Sequence, residues 1–156
     1  MTVKDFHIVE TTEIAASPQA VYDLVSDLPR MGEWSPENTG GSWVDGDPAT
    51  VGATFDGTNR MGDREWTTRC EITVADPGAC FEFTAGTVDD GGPFVRWTFD
   101  VAANDGDGTS LTQTWDMMKL PPMMESVSEE WLSARKSQVG AGMATTLAGI
   151  KTSAES

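Results

Sequence analysis

The sequence predicts an α+β fold in which a curved antiparallel sheet of about seven strands wraps around a long C-terminal helix. Apolar and polar residues alternate with period two through most of the stretch from Ser42 to Met118, which is typical of strands with one buried face. Nearer the C-terminus, apolar residues recur at helical spacing. Signals for two short helices lie between the first strand and this region. We expect residues 1–156 to form a single domain.

The N-terminal elements are predicted from local signals. Phe6 to Ile14 is short and rich in β-branched residues, which predicts the first strand. Ser17 is a natural N-cap and Pro18 suits the first helical position, so a helix should begin there. The apolar stripe of this helix is predicted to be Ala20, Val21, Leu24 and Val25. Asp27 is predicted to cap a second short helix that runs towards Trp34.

The central region is predicted to be a six-strand antiparallel meander, because folding the chain at its turns brings apolar residues onto one face. The predicted partners are Asn59 with Trp66, Phe55 with Cys70, Cys70 with Ala85, Ile72 with Phe83, Val74 with Phe81, Phe83 with Trp97, Phe81 with Phe99, Trp97 with Trp115, and Phe99 with Gln113. Cys80 would lie beside Ala75 and far from Cys70, so no disulfide is expected.

The C-terminal helix is predicted to start at a capping box formed by Ser126 and Glu129. Its apolar positions are Val127, Trp131, Leu132, Val139, Met143, Leu147 and Ile150. About 25 residues would give a helix roughly 37 Å long, enough to cross the sheet. Gly140 and Gly142 inside it leave two interpretations open: a bend or break, or room for a ligand or for close packing on the sheet.

The charge of the chain excludes several classes of partner. With 25 acidic and 10 basic residues, the net charge of −15 argues against nucleic acid and against anionic membrane surfaces. No apolar run approaches the ~20 residues of a membrane-spanning helix, so no membrane insertion is expected. The N-terminus lacks a secretory signal pattern, and the expected location is the cytoplasm. A monomer and a homodimer both remain open.

The inner face of the predicted sheet combines many aromatic rings with three uncharged polar residues. Each ring has a filled core as its alternative interpretation. Asn59, Thr68 and Gln113 share the face, however, and burying an unpaired amide or hydroxyl group costs about 1–3 kcal/mol. A ligand or an ordered water molecule could supply the missing partners. The pattern therefore favours a small-molecule cavity.

Three segments resemble the START-like superfamily, also called SRPBCC or birch-pollen-allergen type: residues 13–36, "EIAASPQAVYDLVSDLPRMGEWSP"; residues 51–78, "VGATFDGTNRMGDREWTTRCEITVADPG"; and residues 142–155, "GMATTLAGIKTSAE". More narrowly, they are similar to bacterial polyketide cyclase/dehydrase-type members, over nearly the whole chain. The resemblance implies a helix-grip fold with a hydrophobic cavity between sheet and helix. It also implies that the two short helices close one end of the cavity and that Trp34 points inward at its mouth.

These observations predict that the protein binds a hydrophobic, ring-containing small molecule such as a lipid or a polyketide. The predicted ligand-binding residues are Trp34, Phe55, Asn59, Trp66, Thr68, Cys70, Phe83, Trp97, Phe99, Gln113, Trp115, Met143 and Leu147. The alternative is a polyketide cyclase or aromatase that acts on a substrate in the same cavity. A third hypothesis is an interaction protein of toxin–antitoxin or chaperone-adaptor type, which would use the outer surface.

The sequence assigns no catalytic residue, metal site or cofactor. His7, the only histidine, lies on a strand and is interpreted as structural. No histidine pair, CxxC motif or acidic cluster has the spacing of metal ligands, and no glycine-rich loop joins a strand to a helix. Cys70 is expected to be an inert thiol in an apolar wall, because burial raises its pKa.

Overall fold

The computed structural model describes residues 5–87 and 92–156, and it contains seven strands and two α-helices. The elements are β1 (His7–Ile14), α1 (Pro18–Val25), a 3₁₀ helix (Leu28–Glu33), β2 (Asn38–Asp45), β3 (Thr54–Met61), β4 (Arg64–Asp76), β5 (Cys80–Thr87), β6 (Val95–Ala103), β7 (Thr109–Met117), a 3₁₀ helix (Pro122–Met124) and α2 (Glu129–Glu155). The sheet order is β1-β7-β6-β5-β4-β3-β2, with every neighbouring pair antiparallel. The predicted meander, the seven-strand sheet and the long C-terminal helix are confirmed.

The predicted register is confirmed over most of the sheet. Eight of the nine predicted partner pairs are observed, from Asn59 opposite Trp66 to Phe99 opposite Gln113. The Val74 prediction is wrong, because the register shifts after Ile72 and Val74 lies opposite Glu82. The same shift places Cys80 opposite Asp76 rather than beside Ala75. An extra residue in β4 breaks strict alternation, as a β-bulge does. Both cysteines are free, as expected.

The helix starts were predicted with mixed success. Ser17 Oγ accepts a hydrogen bond from the Ala20 amide at 3.2 Å, so the first cap is confirmed. The helix after Asp27 exists as a 3₁₀ helix, but the Asp27 side chain makes no capping hydrogen bond. The capping box at Ser126 is wrong: Ser128 caps α2 by accepting from the Trp131 amide at 3.1 Å. A second serine two residues further on offers the same chemistry, and only the path of the chain after the 3₁₀ helix decides between them.

The predicted apolar stripes of the helices are confirmed in part. In α1 the buried residues are Val21, Tyr22 and Val25, whereas Ala20 is exposed. In α2 the buried apolar residues are Leu132, Val139, Met143, Leu147 and Ile150. Trp131 is 37% exposed, and Val127 precedes the helix. Among the described residues, none of the helices has the length and apolarity that crossing a membrane would require.

The apolar core is divided into two clusters along α2. The first contains Leu147 and Ile150 of the C-terminal half of α2, packed with α1 and with sheet residues that include Phe81. The second contains Leu132 and Val139 of the N-terminal half and Met143 near the middle of the helix, packed with Phe6 just before β1 and with Trp115 of β7. Trp97 packs against both clusters. A core that is split in this way leaves space between its halves.

The α2 helix continues unbroken through Gly140 and Gly142, so the bend or break that the sequence allowed does not occur. A Cβ atom on Gly140 would meet the Cγ2 atom of Ile8 at 3.7 Å, and one on Gly142 would meet the Cγ atom of Pro36 at 3.4 Å. Both distances are ordinary packing contacts. Neither glycine is therefore required for the close approach of the helix, because a methyl group would fit at both positions.

A third glycine of α2, Gly149, is under the tightest steric constraint. A Cβ atom there would lie 3.0 Å from both Cβ and Cδ1 of Trp34. Trp34 is 6% exposed, and its Nε1 donates a hydrogen bond to Ser153 Oγ at 2.8 Å. Trp34 is thus held against the C-terminal half of α2 by the absence of a side chain at Gly149 and by the hydroxyl group of Ser153.

This contact leads to a prediction with a matched control on the same helix. We expect Gly149→Ala to lower the free energy of unfolding by about 1–3 kcal/mol, because the new methyl group overpacks against Trp34. Gly140→Ala, which meets only Ile8, should raise it by up to about 1 kcal/mol through helix propensity. Urea unfolding followed by circular dichroism measures both. Equal effects of the two substitutions would contradict the close packing of Trp34 on Gly149.

Candidate functional site

A half-open chamber of about 540 Å³ lies between the inner face of the sheet and α2, where the two core clusters meet. Its buried floor comes mainly from alternate residues of β3 to β7, because these side chains point to the inner face. The floor residues are Phe55, Cys70, Phe83, Ala85, Phe99, Gln113 and Trp115, with Trp97 half-buried beside them. The opposite wall comes from Val139, Gly142, Met143 and Thr146 of α2, and Leu28 and Met31 of the first 3₁₀ helix close one side.

Aromatic rings dominate the floor. The rings of Trp97 and Trp115 face each other across β6 and β7, with centroids 6.2 Å apart and planes tilted by 50°. Trp115 also makes an edge contact with Phe6, with ring centroids 5.7 Å apart, and this contact restricts the orientation of the indole. Rings held in this way present a preformed apolar surface, and such a surface suits a flat hydrophobic molecule.

The polar groups on the floor differ in how well they are satisfied. Asn59 Nδ2 reaches Gly57 O, Trp66 O and Thr68 Oγ1, each only at 3.4 Å, which is long for a hydrogen bond. Gln113 is 4% exposed, and its Oε1 has no hydrogen-bond partner among the described residues. A buried acceptor without a donor is costly, and rotation of the terminal amide would turn this oxygen towards the chamber that Gln113 lines.

The mouth of the chamber carries the charged groups. Arg135 of α2 makes a two-pronged ion pair with Glu37, with nitrogen–oxygen distances of 2.7 and 2.9 Å. Arg135 also donates to Gln138 Oε1 at 3.0 Å, and Gln138 Nε2 donates to the sulfur of Met61 at 3.0 Å. This group links α2 to the segment before β2 and to the end of β3. We call it the mouth clasp: Glu37, Met61, Arg135 and Gln138.

Weakening the mouth clasp should speed the exchange of ligand more than it changes affinity. We expect Glu37→Gln to increase the dissociation rate of a bound probe about fivefold, because one charge of a largely buried pair is lost. The same change should lower the free energy of unfolding by about 1–3 kcal/mol. Stopped-flow fluorescence and urea unfolding measure the two effects. The control is Glu33→Gln in the exposed Arg30–Glu33 pair, where neither quantity should change measurably.

The thiol of Cys70 in the chamber wall is expected to be unreactive at neutral pH. Cys70 is 5% exposed, and burial raises its pKa to about 12, although a hydrogen bond with Thr68 opposes the shift. At neutral pH the sulfur therefore stays protonated, and a protonated thiol is a poor nucleophile. Burial likewise raises the pKa of the Cys80 thiol to about 11, with a contribution from Asp100.

These pKa shifts predict slow thiol chemistry in the folded protein. At pH 8 we expect neither Cys70 nor Cys80 to react appreciably with 5,5′-dithiobis(2-nitrobenzoate), because both pKa values lie well above that pH. After unfolding in guanidinium both thiols should react rapidly. Native labelling of Cys70 within minutes would contradict the placement of this thiol in a closed apolar wall.

Most of the sequence-predicted site residues line the chamber. They are Phe55, Asn59, Thr68, Cys70, Phe83, Trp97, Phe99, Gln113, Trp115 and Met143. Trp34, Trp66 and Leu147 are not among the lining residues. The expectation that Trp34 points into the mouth is wrong in position, because its indole packs on Gly149 and bonds Ser153 instead. Leu147 is buried in the first cluster, and the guanidinium of Arg64 stacks 5.1 Å from the Trp66 ring.

The sequence analysis missed the lining residues that only the tertiary fold brings to the chamber. These include the mouth clasp and the apolar pair Leu28 and Met31. Glu37 and Arg135 lie 98 positions apart, so no local pattern links them. The spacing of Met31 three residues after Leu28 in a short helix was the one local signal for that pair.

His7 lies outside the chamber, on a strand at the edge of the sheet. His7 is exposed and its Nδ1 pairs with Asp116 Oδ1 on the outer face of the sheet. Within residues 5–87 and 92–156, no group of three or more His, Cys, Asp or Glu side chains is placed to hold a metal ion.

The chain is similar to proteins of one known family, in both sequence and structure. A family model described as polyketide cyclase/dehydrase and lipid transport matches residues 5–155. The solution structure of the Polyketide_cyc-like protein Cgl2372 from Corynebacterium glutamicum is 31% identical with a TM-score of 0.66, covering 94% of this chain and 89% of that one. The search of curated proteins returned no match.

Two more distant structures share the fold. The di-domain aromatase/cyclase StfQ from the steffimycin biosynthetic pathway has a TM-score of 0.75 at 16% identity, and covers 96% of this chain and 50% of that one. The major latex-like protein 151 of Panax ginseng has a TM-score of 0.67 at 15% identity, covering 95% and 96%. At these identities the likeness concerns the fold alone.

Proposed function

The chain belongs to the polyketide cyclase/dehydrase and lipid transport family, and from that premise we propose that it binds a hydrophobic, ring-containing small molecule in the chamber. The observation that carries the proposal is the half-open volume of about 540 Å³ with an aromatic floor and a charged mouth. A filled core would leave no such volume. Size and lining both match the usual range for small-molecule sites.

The apolar floor supplies the driving force. Burying roughly 300 Å² of a ligand's apolar surface at about 25 cal/mol per Å² contributes roughly 7 kcal/mol before the cost of association. The charged residues among those lining the chamber are Glu37, Arg60 and Arg135, and Glu37 and Arg135 neutralise each other. Arg60 is exposed and lies 4.0 Å from Glu65. A neutral molecule is therefore the better ligand for the apolar floor, because a buried unpaired charge would be strongly disfavoured there.

The proposal is tested by titration with the neutral fluorophore N-phenyl-1-naphthylamine. We expect saturable, one-to-one binding with enhanced fluorescence and a micromolar dissociation constant. Native mass spectrometry of gently purified protein should in addition reveal a bound mass of a few hundred daltons when the natural ligand is retained. Lack of saturable probe binding by folded protein would overturn the proposal.

A second candidate is a polyketide cyclase or aromatase, favoured by the family description and by the shared fold of StfQ. Such an enzyme would hold a poly-β-keto chain in the chamber and align its reacting carbons. The lining offers positioning groups such as Asn59, Thr68 and Gln113, while Cys70 stays protonated. Turnover of a synthetic poly-β-keto substrate, followed by mass spectrometry, separates an enzyme from a binder.

Substitutions in the chamber floor distinguish the interaction-protein hypothesis from the binding and enzyme hypotheses. Trp97→Ala should weaken probe binding by about tenfold or more if the chamber is the working site. An interaction protein that uses its outer surface would keep its partner and lose only stability. We propose a cytoplasmic location, because two free thiols suit a reducing compartment. The proposed oligomeric state is a monomer or a homodimer.

A further inference from the structure

The unpaired oxygen of Gln113 points to a specific chemical feature of the ligand. Gln113 lies in the middle of β7, flanked on the same face by Leu111 and Trp115, which are 0% and 4% exposed. Its Cα atom lies opposite Phe99 of β6. On the β1 side its Cα atom lies opposite Glu10, which is partly buried. The Gln113 Oε1 is buried without a donor in the described part of the chain.

This arrangement is unusual for a core. Among the described residues, Gln113 Oε1 stands alone as a buried side-chain nitrogen or oxygen atom that lacks a partner. Other buried polar side chains are satisfied nearby: Thr146 donates to Gly142 O at 2.9 Å and Thr109 to Ala16 O at 2.7 Å. A leucine at position 113 would fill similar space without that cost. The amide thus has a use that packing does not explain.

We propose that Gln113 is the specificity-determining residue of the chamber, and that its Oε1 accepts a hydrogen bond from a hydroxyl or N–H group on an otherwise apolar, neutral ligand. This inference rests on the proposed function. The chemistry follows from the atom, because an amide oxygen can only accept and so selects a donor. An anionic ligand group is disfavoured here, because apolar side chains flank the amide on β6 and β7 and the carboxylate residue Glu10 lies opposite it on β1.

Three probes of nearly equal size and different hydrogen-bonding capacity test the proposal: 2-naphthol, 2-methoxynaphthalene and 2-methylnaphthalene. The first has a donor, the second only an acceptor, and the third neither. At pH 7, isothermal titration calorimetry of the wild-type protein should show about tenfold tighter binding of 2-naphthol than of the other two. Gln113→Leu should remove this preference and leave binding of 2-methylnaphthalene at least as tight.

The matched control is Thr114→Val, the adjacent position on β7, which has the outward parity. It should keep the tenfold preference. Gln113→Met, which preserves length, serves if Gln113→Leu folds poorly. A second readout needs no ligand: removing an unsatisfied buried acceptor should raise the urea midpoint of the unliganded protein, whereas a structural role would lower it.

The outcomes separate this inference from the proposed function. If 2-methoxynaphthalene binds as tightly as 2-naphthol, Gln113 presents its Nε2 donor and the inference is overturned. If all three probes bind equally, a resident water molecule satisfies Gln113 and the inference again fails, while the binding function stands. If neither these probes nor N-phenyl-1-naphthylamine binds, the binding function itself is wrong.

Discussion

Replacing Ala85 by tryptophan is expected to reduce the affinity for N-phenyl-1-naphthylamine by about a hundredfold or more while the protein stays folded. Ala85 is 8% exposed. It lies on the same inner face of β5 as Phe83, two residues earlier, and opposite Cys70 of β4. A larger side chain there must project into the chamber, because inward parity fixes its direction. The indole would occupy the space that a bound ring needs.

The control for this prediction is Thr67→Trp, which adds the same ring at an exposed position of β4. It should bind the probe as the wild type does. Circular dichroism verifies that both variants fold, and fluorescence titration gives the affinities. Unchanged affinity in a folded Ala85→Trp protein would place the probe outside the chamber and remove the support for the proposed function.

The second large effect is on stability: Phe81→Ala should lower the free energy of unfolding by about 3–5 kcal/mol. Phe81 is 0% exposed and does not line the chamber. Its ring makes an edge contact with Tyr22 of α1, with centroids 6.0 Å apart, and lies 6.0 Å from Phe83. These contacts join α1 to the sheet. If the ring is removed, neighbouring side chains can fill the cavity only if α1 and the sheet both move, so most of the cavity remains.

The matched comparison is Phe99→Ala, because Phe99 lies directly opposite Phe81 but borders the chamber. We expect a loss at least about 1 kcal/mol smaller, since the new space joins a volume that already exists. Phe81→Ala should leave probe affinity within about threefold, while Phe99→Ala should favour larger ligands. Urea unfolding and titration with probes of increasing size measure these effects. An equal loss of stability in the two variants would contradict the separation of core and chamber.

The split core explains how one sheet serves both stability and binding. The first cluster closes around the C-terminal half of α2, where Trp34 packs on Gly149. The second closes around its N-terminal half, where Trp115 packs on Phe6. Between them, rings that would otherwise meet α2 face open space. Binding a ligand there would join the two clusters, so we expect saturating probe to raise the thermal midpoint.

Alternation and turn chemistry were sufficient to predict most of the sheet. Inward parity alone paired Phe83 with Trp97 and Trp97 with Trp115, because register is strongly specified when one face is buried. It failed after Ile72, where a bulge adds a residue without a local sequence signal. Parity also placed Gln113 and Asn59 on the face that lines the chamber.

Only the tertiary structure decided how that face is shared between core and chamber. Trp34 lies away from the expected mouth because Gly149, more than a hundred residues away in the chain, has no side chain and leaves room for Trp34 against α2. Glu37 meets Arg135 at the mouth across a similar separation in the chain. Side-chain period reports which face a residue occupies, whereas the space left between two packed elements depends on the sum of all their side chains. The sequence by itself therefore determined the sheet, the helices and the inward residues, and the packing of α2 determined the chamber.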